Sequence, residues 1–297
     1  MKRISHKAFF TAASLATAST LCLALSAALW KYLTTLSALS IALFIRFFIP
    51  FIIVGVFMGV TRIKLKTKSI HHLLIRSIFV FIAQYALLYV IARSNLLKAT
   101  LLYSTSGLFL PVIMYLFLKV KATKQALISI IVSFIGIAIA LGSWEDLIEP
   151  TSLLGLASSL FTAFAQMIQH RASKSDHPMS INFYLYGFCS VFTLLLASII
   201  PKFWQQSLSF FSHIPFTTIC VVVLFSVLSI SNQFLKNLAF KYVNKASSLV
   251  PFLYMTIIFS GLIDWVWLGL IPPLHTIIGC LVVILGGVIM SSRKLKT

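Results

Sequence analysis

Acidic residues are nearly absent from this chain: five Asp and Glu stand against 24 Lys and Arg. Scattered as Glu145, Asp146, Glu149, Asp176 and Asp264, they cannot form the clustered carboxylates that membrane-embedded lipid or isoprenoid enzymes use. Long polar stretches and nucleotide-binding motifs are missing too. No space is left for a soluble catalytic domain, so the chain reads as a non-enzyme with no cofactor, and any function sits within its apolar segments. The four cysteines, Cys22, Cys189, Cys220 and Cys280, lie in apolar runs without paired spacing. They read as buried small hydrophobes, neither disulfides nor metal ligands. His71 and His72 have no other ligand type near them in sequence, so no metal site is expected.

What the chain does have is apolar length. Of its 297 residues 60% are hydrophobic and 10% charged, and the mean hydropathy is +1.02. Ten apolar runs, 9–30, 36–60, 73–92, 99–118, 126–143, 153–170, 180–200, 216–240, 246–270 and 274–291, are each long enough to cross a hydrocarbon core roughly 30 Å thick as an α-helix. A backbone in lipid must satisfy its own hydrogen bonds, which leaves helices or closed barrels. The expected fold is an all-α integral membrane protein of ten transmembrane helices.

The formal charge of +19 would suit a nucleic-acid binder if the basic residues were clustered. They alternate instead. With the N-terminus taken as cytoplasmic, 18 of the 24 fall on the inner side, Arg76 among them, and four, Lys31, Arg93, Lys98 and Lys202, on the outer. Arg46 and Lys236 remain within spans. This satisfies the positive-inside rule, returns Thr297 to the cytoplasm and removes the case for nucleic acid. Lys2, Arg3 and Lys7 before an apolar run also fit a secretory signal peptide, but the run continues to Trp30 and keeps the alternation in phase. The expected lipid contact is the basic segment 62–68 on anionic headgroups.

An acidic, Pro-containing stretch at 144–152 divides five spans from five. Ala92-Arg93 to Lys98-Ala99 recurs as Ala239-Phe240 to Lys245-Ala246 at a spacing of 147 residues, which predicts two copies, 1–149 and 150–297. An odd number of spans per copy inverts the second. Inverted repeats of this kind carry substrate near the midplane between the copies, and one five-helix unit is expected to rock against the other. Gly55 and Gly59 form a GxxxG that predicts close helix packing within the chain or between two copies of it, so monomer and homodimer both stay open.

Several segments resemble a known family. Gln233-Phe234-Leu235-Lys236-Asn237-Leu238-Ala239-Phe240, the stretch Ala246 to Tyr254 with Pro251, Leu268-Gly269, and Gly279 to Gly286-Gly287 resemble the EamA repeat of the drug/metabolite transporter superfamily. Thr105-Ser106-Gly107-Leu108-Phe109-Leu110-Pro111 is similar to the fourth helix of that repeat, and Gly155 stands where a second copy opens. The chain departs from the family in its acids. Lys119-Val120 and Gly269-Leu270 occupy positions where relatives commonly carry Gly-Glu, so no role of those glutamates transfers. The resemblance implies a secondary transporter in a bacterial inner membrane, moving a small polar metabolite by alternating access. An amino acid or an amino-acid-derived compound such as S-adenosylmethionine is the leading substrate class. A drug or toxic-metabolite exporter of the same superfamily is the alternative, with a lipid-modifying enzyme behind it.

Candidate substrate contacts are the polar groups at midspan. Arg46 lies about 15 Å from the outer side and Asp264 about 9 Å, at 1.5 Å per residue, so the two are expected to meet in one cavity and hold a zwitterion. An arginine at that depth costs at least a few kcal/mol in lipid and must find an anion, carboxylate or phosphate. Gln84, Tyr103, Ser104, Asn232, Gln233 and Tyr254 would line the same space. Lys236, near the cytoplasmic end of its span, is expected to reach the headgroups. Trp265 and Trp267 read as interfacial belt residues.

Overall fold

The computed structural model describes residues 6–36, 39–63, 65–94, 96–119, 124–142, 148–199, 215–244 and 246–291. The basic residues Lys2, Arg3, Lys64, Lys121, Lys202, Lys245, Arg293, Lys294 and Lys296, and the acids Glu145 and Asp146, lie outside them. The described residues are helical with no strand. Spans one to three are His6–Leu36, Leu39–Val60 and Ile70–Arg93, and the fourth is two helices, Leu96–Ser104 and Ser106–Leu118. The fifth to eighth are Lys124–Leu141, Pro150–Ala172, Pro178–Ile199 and Phe216–Tyr242. The ninth runs through a 3-10 turn, Ala246–Leu249, into Val250–Leu253 and Met255–Leu268, and the tenth is Leu274–Ser291. Eight spans are long and apolar enough to cross a membrane, and the fifth and tenth are shorter apolar helices. This is a multi-pass membrane protein. Many hydroxyls along the spans return to backbone carbonyls one turn earlier, as Ser19 does to Ala16, Thr100 to Leu96 and Ser226 to Val222, which satisfies those donors within their own helix.

The start of the first helix, the end of the tenth and the described loops after even-numbered spans are together called here the terminal face. Asp176 pins two of those loops together, accepting the Thr67 hydroxyl at 2.5 Å and the Lys68 amide at 3.3 Å. Lys174 donates to the carbonyls of Lys241 and Val243 at 2.7 and 2.5 Å, supplying a cation at the C-terminal end of the eighth span.

The packing is reciprocal. The first span packs on the eighth as the sixth packs on the third, and the ninth packs on the first as the fourth packs on the sixth. The third meets the seventh as the eighth meets the second, while second and seventh, fourth and ninth, and fifth and tenth meet as counterparts. The two sequence halves are therefore interlaced and are not separate lobes. Spans three, four and six form one spatial bundle, spans one, eight and nine another. The expectation of one five-helix unit rocking against the other is corrected accordingly, because the first span of each half packs within the other half.

Small residues set the closest crossing, but not those the sequence singled out. A Cβ at Gly59 would meet nothing within 4 Å, and one at Gly55 would meet only the Phe183 ring at 3.5 Å. The close backbone approach lies between spans five and ten, where a Cβ at Gly136 would come within 2.8 Å of Gly279 O and one at Gly279 would strike Ala140 N. Ser129 donates to Gly286 O at 2.6 Å and Thr276 to Ala140 O at 3.0 Å across the same crossing. The cysteines are all free; Cys189 and Cys280 are buried, whereas Cys22 is half-buried and Cys220 exposed. An apolar helix face turned to lipid accommodates a thiol as readily as a core does.

Candidate substrate cavity

The fourth and ninth spans both break near the middle of the bundle. In the fourth the hydroxyl run Ser104-Thr105-Ser106 interrupts the helix, and Thr105 Oγ1 lies 2.7 Å from Leu102 O and 2.5 Å from Ser159 Oγ. In the ninth, Pro251 sits in the first turn of Val250–Leu253, where its missing amide costs nothing. The breaks meet at Gly107, where a Cβ would stand 2.7 Å from Val250 Cγ1 and 3.2 Å from the Tyr254 hydroxyl. Tyr254 also fills the space left by Gly287.

Beside this joint lies a narrow cavity between the two bundles. Ser19 and Thr20 of the first span, Tyr103, Ser104 and Ser106 of the fourth, Gln166 of the sixth, Asn232 and Lys236 of the eighth and Thr256 of the ninth line it. At about 20 Å³ it has room for about one water, so the structure is closed around it. Of the residues expected from sequence, Tyr103, Ser104 and Asn232 come together here. Tyr254 packs against the joint.

Gln84 is buried with its carbonyl oxygen unpartnered, but it is not among the cavity-lining residues. Its neighbour Tyr85 faces outward. Gln233 turns to the terminal side, where its Oε1 accepts Arg76 Nη2 and Gln169 Nε2, each at 3.2 Å. Gln169 also donates to Asn237 Oδ1 at 2.6 Å, and Asn237 donates to Asn182 Oδ1 at 2.8 Å and to Pro178 O at 3.4 Å. This chain of amides joins spans three, six, seven and eight and crosses between the bundles.

The expected meeting of Arg46 and Asp264 does not occur. Arg46 places its guanidinium over the rings of Trp30 and Phe225, 5.1 and 5.5 Å from their centroids, and those rings stand 5.3 Å apart. Asp264 accepts the Leu97 amide on Oδ2 at 2.7 Å, which puts a carboxylate at the start of helix Leu96–Ser104. Similar depth did not bring them to the same side of the bundle. Asp264 instead lines a larger cleft of about 570 Å³ at the face opposite the termini, with Lys98 and His275.

Two cations differ from their sequence reading. Arg76 is not a loop residue: helix Ile70–Arg93 starts two turns before it, and it is 1% exposed, with Nε and Nη1 lacking any partner. Lys236 does not reach the headgroups and is 5% exposed on the cavity wall. Tyr103, Tyr186 and Cys189 lie within electrostatic range of both Arg46 and Arg76, and Lys236 lies within range of Arg76. None of these three cations pairs with a described carboxylate. The residues missed by sequence reasoning are Arg76, Gln166, Gln169, Asn182 and Asn237. A signal was available for three of them: Gln166 and Gln169 share a helix face at spacing three, and Asn237 follows Gln233 on one face at spacing four.

Residues 150–292 match the EamA-like transporter family. No curated protein matches the sequence at a significant level. Among solved structures, one described only as a crystal structure of a protein shares the fold with a TM-score of 0.63, covering 98% of each chain at 16% identity.

Proposed function

We propose that this membrane transporter, whose second half is an EamA-like unit of the drug/metabolite transporter superfamily, is a secondary carrier of a small polar metabolite of the amino-acid or amino-acid-derived kind. The observation that carries the reading is the polar cavity between two reciprocally packed bundles, closed in this state and lined by Tyr103, Gln166, Asn232 and Lys236. The reciprocal pairing supports two inverted five-helix copies, and the moving bodies are spans three, four and six against spans one, eight and nine. Alternating access follows from rocking these bodies about the joint at Gly107 and Tyr254.

In this reading Tyr103, Ser104 and Asn232 touch substrate, joined by Gln166 and Lys236. Arg46 is held on Trp30 and Phe225 behind the cavity, Tyr254 packs at the joint beside it, Gln84 is buried apart from its lining, Gln233 belongs to its terminal-side closure and Asp264 holds the start of the fourth span. The terminal face is cytoplasmic, since Arg62, Lys66, Lys68, Arg171, Lys174 and Lys241 all lie there. The test is counterflow into liposomes loaded with a labelled metabolite panel. Saturable uptake that depends on the purified chain and is weakened by Asn232→Leu is expected; uptake of no compound above empty liposomes would overturn the carrier assignment.

A further inference from the structure

Building on the carrier reading, we infer that the substrate is a small organic compound of net negative charge, whose carboxylate or phosphate oxygens are taken by Arg76 and Lys236. The inference starts from an imbalance of buried charge. Arg46, Arg76 and Lys236 are 9, 1 and 5% exposed, and none has a described carboxylate within ion-pair distance. The two buried acids among the described residues are committed elsewhere, Asp264 to the Leu97 amide and Asp176 to the loop at Thr67 and Lys68. Uncompensated charge in a dry interior is strongly unfavourable, so an anion has a place to fill.

The three cations are not equivalent. Arg46 is held by two aromatic faces. Arg76 makes one hydrogen bond, from Nη2 to Gln233, and leaves two buried nitrogens without acceptors. Lys236 follows Gln233 by three residues on the same helix, so the amide that holds Arg76 and the lysine share one face. Lys236 stands on the cavity wall with Tyr103, Asn232 and Gln166. Gln166 adds a second requirement. Its Nε2 donates to Ser106 at 3.4 Å while its buried Oε1 has no partner. A ligand that satisfies the site therefore brings oxyanion acceptors for Arg76 and Lys236 and a hydroxyl or ammonium donor for Gln166. Acidic amino acids, hydroxy acids and hydroxylated phosphate esters meet both conditions. S-adenosylmethionine, with its net positive charge, does not.

The experiment uses the purified full chain in phosphatidylcholine nanodiscs and follows thermal unfolding at fixed ionic strength. The probes are L-glutamate, malate and glycerol phosphate against L-lysine, choline and S-adenosylmethionine. At least one anion should raise the midpoint while the cations leave it unchanged, and the anion that does so separates carboxylate from phosphate recognition. Arg76→Gln and Lys236→Gln should each weaken anion binding at least tenfold. Arg76→Lys, which keeps charge but loses the planar donor set, should bind more weakly than the natural chain and more tightly than Arg76→Gln. Stabilisation by the cations, or anion affinity within twofold of the natural chain in both neutral variants, would overturn the inference. So would anion effects that vanish in phosphatidylcholine and return only with an anionic lipid, since the cations would then belong to headgroups. If Arg76→Gln does not fold, Lys236→Gln and the probe series on the natural chain decide. Anion binding without liposome flux would instead refute the carrier reading and leave the anion site standing, whereas flux of a neutral or cationic solute unaffected by either variant would do the reverse.

Discussion

Arg46 and Arg76 are both buried among apolar helices, yet their surroundings differ in kind. Arg46, towards the face opposite the termini, sits on the rings of Trp30 and Phe225, within a group formed by spans one, two and eight. Arg76, towards the terminal face, reaches from the third span to Gln233 on the eighth, across the boundary between bundles. Aromatic faces attract a guanidinium without consuming its N–H donors and hold it within one body. An amide bond across a boundary can be exchanged for a ligand or for water when the bodies separate. The first arrangement suits a fixed wall and the second a site that opens.

The comparison is broken most directly by replacing each arginine with an uncharged residue. Arg76→Met removes a buried cation with two unpartnered nitrogens and fills its volume, so unfolding in mixed micelles should become harder by about 1–3 kcal/mol while anion binding is lost. Arg46→Ala removes the contacts to two rings and leaves a void, and stability should fall by about 2–4 kcal/mol. Opposite signs are the expected result. Equal losses in both variants would mean that Arg76 is a structural anchor of the same kind as Arg46.

The amide chain around Arg76 gives the next largest effect. Asn237→Leu deprives Asn182 Oδ1 of its donor and frees Pro178 O, at a cost of roughly 1–3 kcal/mol for the stranded acceptor. Because the chain crosses between bundles, the variant should also expose the terminal side of the cavity. A cysteine placed at Ser106, on the cavity and outside the amide chain, in a background without native thiols should react faster with a membrane-impermeant reagent when Asn237→Leu is present. Unchanged reactivity would show that these amides do not close that side.

Double-mutant cycles sharpen the difference between the two arginines at smaller amplitude. Arg46 with Trp30 should show a coupling of about 1–2 kcal/mol, as for a desolvated cation over an aromatic face. Arg76 with Gln233 should show only about 0.5 kcal/mol, in the range of single interhelical hydrogen bonds in membranes. A larger coupling for Arg76 than for Arg46 would reverse the assignment of wall and opening site.

Hydropathy alone was enough to place the ten spans, because a run of apolar residues has no other stable use at this length. It did not reveal which spans touch. Arg46 and Asp264 have comparable depths, but depth says nothing about position around the bundle, and Asp264 turned out to serve the start of the fourth span. The same gap explains Gly55 and Gly59, whose face has no backbone against it, while Gly136 and Gly279 meet. Arg76 was misplaced for a different reason. Its apolar run was drawn from residue 73, yet the helix begins at Ile70, and His71 and His72 lie in that polar first turn. Helices continue past the edge of an apolar run, so a charge just inside that edge can lie two turns deep. Tyr103, Ser104 and Asn232 lie together on one cavity because each is polar near the centre of an apolar span, where few roles besides lining a cavity or bonding to another helix exist.

The smallest effect belongs to the exposed charges, which contrast with both arginines. Lys98 Nζ donates to Glu149 Oε2 at 2.7 Å at the face opposite the termini, and this contact holds the Glu149 carboxyl below the usual glutamate range. A carboxyl lowered in the folded state contributes stability that is fully present above its unfolded value, about 4.3, and is lost as pH falls through the folded value. Unfolding midpoints should therefore stay level from neutral pH to about pH 5 and drop slightly below about pH 4. Glu149→Gln should remove that drop, and added salt should shrink it, because water and ions screen a pair so exposed. Arg46 and Arg76 keep their charge across the same interval, so the acid drop should be the same in Arg76→Met as in the natural chain and cancel in their difference. A salt-insensitive drop that persists in Glu149→Gln would place the acid-labile group in the interior, and Asp264 at the start of the fourth span would be the carboxylate to substitute next.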